Sequence, residues 1–174
     1  MTSSREEFAE FVESMERPFW EPIGRYVFRF GMLERRVDSE LCTLISLDHD
    51  VGVHLLNELD FAVRLQLLRV FARASNHQDE MKKLVADIGL QNEFRNTVVH
   101  GPWTAHFSDI DGKGPAWQKF GLSRQHRPKA TNITVADLTK NAVEISKLEA
   151  RLVKLVRAIR SGESAAFTSA TDKI

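Results

Sequence analysis

Cysteine is nearly absent: Cys42 is the only one in 174 residues. No internal disulfide is available, and its apolar neighbours make it a small buried hydrophobe rather than a reactive thiol. Net charge is absent too, with 24 basic residues against 24 acidic ones. That removes any chain-wide attraction to nucleic acid or a membrane surface and leaves only local electrostatic sites. No apolar run approaches the roughly 20 residues of a membrane-spanning helix. The opening Met1-Thr2-Ser3-Ser4 lacks the basic stretch and apolar run of a secretory signal, so a cytoplasmic location is expected. Three chemical motifs are missing as well: a Gly-rich phosphate loop, paired cysteines and His-Glu-x-x-His. No metal and no cofactor is expected.

What is present is the material of a folded domain, 43% hydrophobic and 28% charged, enough for one hydrophobic core. Helical periodicity dominates. Phe8, Phe11, Val12 and Met15 form a stripe on a short helix over Ser3 to Glu16. Pro18 is expected to stop it, and Pro22 to open the next helix, which carries Phe30, Leu33, Val37, Leu41 and Leu44. A helix over Val53 to Ala74 has two stripes, Leu56-Leu59-Val63-Leu67-Val70 and Phe61-Leu65-Leu68-Ala72. A helix apolar on two faces is either central in a bundle or shared with a partner. Another begins near His77 and carries Met81, Leu84, Val85, Ile88, Phe94 and Val98 until Gly101-Pro102 ends it. Aromatic runs around Asp109 to Pro115 predict an irregular hairpin. Thr134 and Asp137 frame a capping-box start for a last helix with Leu138, Ala142, Ile145, Leu148, Leu152, Leu155 and Ile159 on one face. The expected architecture is all-α, a bundle of about five helices with a small irregular β-hairpin insert before the last helix. One helical domain over residues 1–162 would be followed by a flexible tail, 163–174.

Chemistry concentrates in Arg95-Asn96-Thr97-Val98-Val99-His100. Asn96 and His100 are four residues apart and share one helix face, with Arg95 about 100° to the side. Val98 and Val99 are left to turn toward packing. The carbonyls at a helix C-terminus favour a protonated imidazole, and a histidine there can titrate near neutral pH. A guanidinium beside it suits phosphate oxygens and the charge that develops in phosphoryl transfer. Histidine for the proton and arginine for the anion is a minimal set for metal-free RNA cleavage, in which a ribose 2′-hydroxyl attacks the adjacent phosphate. The bland alternatives are a salt bridge from Arg95 to Glu93 and a helix-capping His100. Elsewhere, Asp48, His49, Asp50 and His54 read as a capping-rich turn before they read as a metal site. Lys113, Lys119, Arg124, His126, Arg127 and Lys129, near Trp103 and Trp117, make the hairpin region locally basic. Cations that grip phosphates and rings that stack on bases would make it an RNA-contacting arm, with Trp103, Lys119, Arg124 and Arg127 as the candidate contacts; a solvated loop is the alternative. Lys140, Lys147, Arg151 and Lys154 read as the solvent-facing side of the last helix.

The segment Arg95-Asn96-Thr97-Val98-Val99-His100 resembles the Arg-(Asn/Asp/His)-x-x-x-His signature of HEPN domains (higher eukaryotes and prokaryotes nucleotide-binding), and His100-Gly101-Pro102-Trp103 is similar to a His-Gly-x-Trp continuation in bacterial members. The resemblance spans about nine residues plus the plan of long helices before the motif and one after it. It implies a metal-independent endoribonuclease of the toxin–antitoxin, defence or RNA-processing kind, with Arg95 and His100 catalytic and Asn96 assisting. It further implies a homodimer whose two motifs form one composite cleft, RNA as the substrate, and an inhibitor protein as a candidate partner. One departure is the tyrosine found two residues after the histidine in members paired with nucleotidyltransferases. Here that position is Pro102, and the single tyrosine, Tyr26, is distant in sequence. The alternative from another class is a non-catalytic helical module that binds RNA, a nucleotide or a protein through the same cleft.

Overall fold

Long helices set the architecture. The computed structural model describes residues 4–100, 103–106, 116–122 and 128–162, the strands by backbone and register. The elements run α1 (Ser4–Ile45), α2 (His49–Asn57), α3 (Phe61–Phe71), α4 (Gln78–Val99), β1 (Trp103–His106), β2 (Ala116–Leu122), β3 (Pro128–Ile133) and α5 (Val135–Ser161). The protein is mostly helical, and no helix is long and apolar enough to cross a membrane among the described residues.

Pro18 does not end the first helix: α1 continues through both Pro18 and Pro22. Each proline removes one backbone hydrogen bond and costs about 3 kcal/mol in a helix interior. The carbonyls left without a donor belong to Ser14 and Pro18, which are exposed, so water can satisfy them. Burial of Phe19, Tyr26 and Phe30 on the same helix opposes the loss, at about 1.5–3 kcal/mol for each large apolar side chain. Phe11, assigned to a buried stripe by periodicity, is exposed.

The chain forms two compact units, Met1–Phe30 with Asn92–Glu144, and Gly31–Gln91 with Ile145–Ile174. In the first unit the buried apolar residues, among the described ones, are Phe19, Tyr26, Phe30, Val98, Ile133, Leu138 and Ala142. Its sheet is a correction to the expected hairpin. Rather than two strands alone, three antiparallel strands pair in the order β1-β2-β3. Trp103 stands opposite Lys119 and Ala105 opposite Trp117, while Trp117 stands opposite Ile133 and Lys119 opposite Thr131. The third strand, Pro-Lys-Ala-Thr-Asn-Ile, has little apolar alternation to announce it, and pairing with β2 supplies what its own pattern lacks. α5 opens on a reciprocal cap: Thr134 N–H donates to Asp137 Oδ2 at 2.9 Å, and Asp137 N–H donates to Thr134 Oγ1 at 3.0 Å.

In the second unit Leu33, Val37, Leu41 and Cys42 of α1, Met81, Leu84, Val85 and Ile88 of α4, and Ile145, Leu148, Leu152 and Leu155 of α5 are buried. The single helix expected over 53–74 is two, broken at residues 58–60. Leu56 on α2 and Phe61, Leu65 and Leu68 on α3 are buried, whereas Val63 and Val70 from the other stripe stay exposed. α2 starts earlier than periodicity suggests because Asp48 caps it, its Oδ1 accepting from Asp50 N–H and Val51 N–H at 3.0 and 3.2 Å. This accounts for the Asp48–His54 cluster as a helix start, and no group of three or more metal-ligating residues forms among the described residues. Arg151 is also more than a solvent-facing charge: its Nη1 donates to Asp87 Oδ2 at 2.9 Å.

Gly52 lies where α2 meets the end of α1, and a Cβ there would overlap Cys42 Sγ. Gly52→Ala should therefore destabilise the protein by about 1–3 kcal/mol, the usual cost of overpacking, despite alanine's better helix propensity. Chemical denaturation of Gly52→Ala, Cys42→Ala and the double variant checks this, since removing the sulfur should restore most of the loss.

Glu40 is buried in the same unit. Burial raises its carboxyl above the ordinary range, against the opposing charges of Arg36 and Arg157. A raised folded-state value means that stability is fullest with the group protonated and falls as pH rises through that value. Glu40→Gln should thus melt at a higher temperature than the parent at pH 7. The gap should close below about pH 4, where the unfolded carboxylate is protonated as well. Melting curves across pH 3.5–7.5 test the sign.

Candidate active site

α4 delivers the candidate residues, and it ends at Val99, two residues before Gly101-Pro102, a pair that disfavours a further helical turn through glycine's backbone freedom and proline's missing N–H. The His100 N–H donates to the Asn96 carbonyl at 3.0 Å, so helical hydrogen bonding reaches the histidine and keeps the two residues one turn apart. Both are exposed, and Arg95 is half-buried. Arg95 Nη1 donates to Asn96 Oδ1 at 3.1 Å, which links the guanidinium to the face that Asn96 shares with His100. The alternative of an Arg95 salt bridge is not seen among the described residues, and Glu93 contributes its carbonyl to Thr97 Oγ1 at 2.9 Å. Val98 is buried as the sequence suggests, whereas Val99 is exposed. The surface around the motif therefore carries an apolar side chain beside Arg95, Asn96 and His100.

Of the candidate RNA contacts, Trp103 and Lys119 are register partners on adjacent strands, and β1 begins three residues after His100. Arg124 and Arg127 lie outside the described residues, as do Lys113, His126 and the tail 163–174.

Sequence reasoning passed over Tyr26. It is fully buried in α1, and its ring stands edge-on to Phe94, centroids 5.1 Å apart at 85°. Phe94 immediately precedes Arg95. Burial pushes the Tyr26 phenol far above its usual range, and the nearby charge of Arg95 opposes the rise. One signal was available: Tyr26 falls between Phe19 and Phe30 at core spacing, a hydroxyl-bearing ring in a chain with 11 phenylalanines and a single tyrosine.

No family model, curated protein or solved structure matches this chain.

Proposed function

We propose that the protein is an HEPN-like, metal-independent endoribonuclease that works as a homodimer. The observation that carries this reading is the exposed end of α4, where Arg95 is hydrogen-bonded to Asn96 and Asn96 is tied by its carbonyl to His100. His100 takes the proton from a ribose 2′-hydroxyl as that oxygen attacks the adjacent phosphorus. The bond to the 5′-oxygen breaks, and an imidazolium, supplied by the second copy, returns a proton to the departing oxygen. Arg95 neutralises charge on the non-bridging oxygens in the pentacoordinate transition state, and Asn96 holds the guanidinium in place. The products are a 2′,3′-cyclic phosphate and a free 5′-hydroxyl. Exposed Val63, Val70 and Phe71 on α3 offer an apolar surface for a second copy, and Trp103 and Lys119, register partners on β1 and β2, are the proposed contacts for the strand being cut. A toxin or defence role, with an inhibitor protein to restrain the activity, fits the same chemistry.

Purified protein incubated with single-stranded RNA in excess chelator should generate cyclic-phosphate ends, and Arg95→Ala should not. Binding of RNA without cleavage would favour a non-catalytic module; neither binding nor cleavage would remove both readings.

A further inference from the structure

Phe28, at 67%, is the most exposed large hydrophobic side chain among the described residues, and Trp20 on the same helix is 51% exposed. Midway between them stands Gly24, itself exposed, where a Cβ would meet nothing within 4 Å. At about 100° per residue the three share one face of α1, and the buried Phe19, Tyr26 and Phe30 lie roughly 120–160° around the axis from Gly24. The order continues symmetrically along the helix. The next residues outward on this face are Arg17 and Gly31, equally far from Gly24, and then Glu13 and Arg35, again equally far. All four return to within about 20° of Gly24. Glu13, Arg17 and Arg35 are exposed, and a Cβ added at Gly31 would also meet nothing within 4 Å. A ring therefore mirrors a ring, a cation mirrors a glycine, and an acid mirrors a base. Single apolar residues on a surface are ordinary; this face, reversed, is its own complement.

We propose that this face of α1 binds a second copy of the chain, the two helices antiparallel with a two-fold axis at Gly24. In a two-fold contact each residue meets the one equally far on the other side of the axis. Trp20 of one copy then packs on Phe28 of the other, and the glycine between them lets the backbones approach until both rings are covered. Arg17 falls opposite Gly31, so no cation faces a cation. Glu13 falls opposite Arg35; its carboxylate has Arg17 at 3.6 Å on its own helix, an exposed pair that a second cation can join. Charge sets the direction. Residues 1–17 carry five glutamates against Arg5 and Arg17, whereas residues 23–36 carry four arginines against Glu34. Parallel helices would set like charge against like, and antiparallel ones set opposite charges together. From Glu13 to Arg35 the contact runs along about 33 Å of helix, at 1.5 Å per residue. A partner of another kind would have no reason to match the mirrored order. The interface would serve the homodimer of the ribonuclease reading, but its own test needs no RNA.

Sedimentation equilibrium of the full chain should give the mass of two copies. Gly24→Glu sets like charges against each other at the two-fold axis, while a Cβ there meets nothing in its own protomer. It should raise the dimer dissociation constant at least about 100-fold and leave the helical circular dichroism unchanged. Glu13→Arg and Arg35→Glu should each weaken the dimer about three- to ten-fold, because symmetry breaks two ion pairs at once. Combined in one chain they should restore the parental constant, each pair being remade with its charges exchanged. This series answers the question by itself if Gly24→Glu does not fold. A monomeric parent, a folded Gly24→Glu chain that stays dimeric, or two charge reversals that do not rescue each other overturns the proposal. Val63→Glu dispersing a dimer that Gly24→Glu leaves whole assigns the contact to α3 and overturns it too. A dimer that behaves as expected and cuts no RNA keeps the interface and removes the ribonuclease reading alone.

Discussion

Asp38→Ala is expected to destabilise the protein by about 3–5 kcal/mol, the range for breaking one side of a buried ion pair. Arg64 Nη1 donates to both oxygens of Asp38, at 2.9 and 2.7 Å, and the two side chains are 12% and 6% exposed. The guanidinium also lies over the Phe61 ring, 5.3 Å from its centre. Removing the carboxylate leaves a cation with little access to water, and the ring's quadrupole recovers only part of the loss, about 0.5–2 kcal/mol. Replacing both partners at once, as Asp38→Leu with Arg64→Met, should cost much less, because no charge is stranded. Urea denaturation of the three variants measures the difference. A single-variant loss below about 1 kcal/mol would show that the pair is hydrated, as surface pairs are.

His100→Ala should leave stability almost untouched and reduce RNA cleavage about 10²–10⁴-fold, the usual contribution of a general acid–base group. The separation of the two effects follows from position. His100 is exposed, just beyond the last turn of α4, so truncating it opens no cavity. Its backbone N–H, which bonds to Asn96, is unaffected. Product analysis under single-turnover conditions, beside a melting curve, reads both quantities. A variant that melts early and cleaves normally would make His100 a helix cap. One that cleaves normally and melts normally would make it ordinary surface.

The part of the fold that could be read from sequence is the part where burial and local periodicity agree. On α5, Leu138, Ala142, Ile145, Leu148, Leu152 and Leu155 are all buried as their spacing requires, and Thr134 with Asp137 marks the start. Periodicity failed where tertiary burial overrode a local rule. Pro18 predicts a stop, yet α1 runs through it. The stripes of residues 56–72 imply one helix with two apolar faces. The break at 58–60 instead gives two helices that bury Leu56 and Phe61-Leu65-Leu68, while the other stripe stays at the surface at Val63 and Val70. The candidate site was readable for a different reason. Arg95, Asn96 and His100 are close in sequence, so one helix places them without help from the rest of the chain. The contact of Tyr26 with Phe94 was not readable, because it spans 68 positions and exists only after folding.

The meeting of Gly52 with Cys42 makes the lone thiol a clock. Burial raises the Cys42 thiol above its usual range, and the negative charges of Asp38 and Asp48 push it the same way. The closed protein therefore offers an alkylating reagent almost no thiolate and little room to approach. Labelling proceeds only in molecules where the end of α1 has parted from α2, so its rate counts how often that junction opens. A substitution elsewhere can then be sorted by whether it changes the tempo of this opening or only the depth of the global unfolding well.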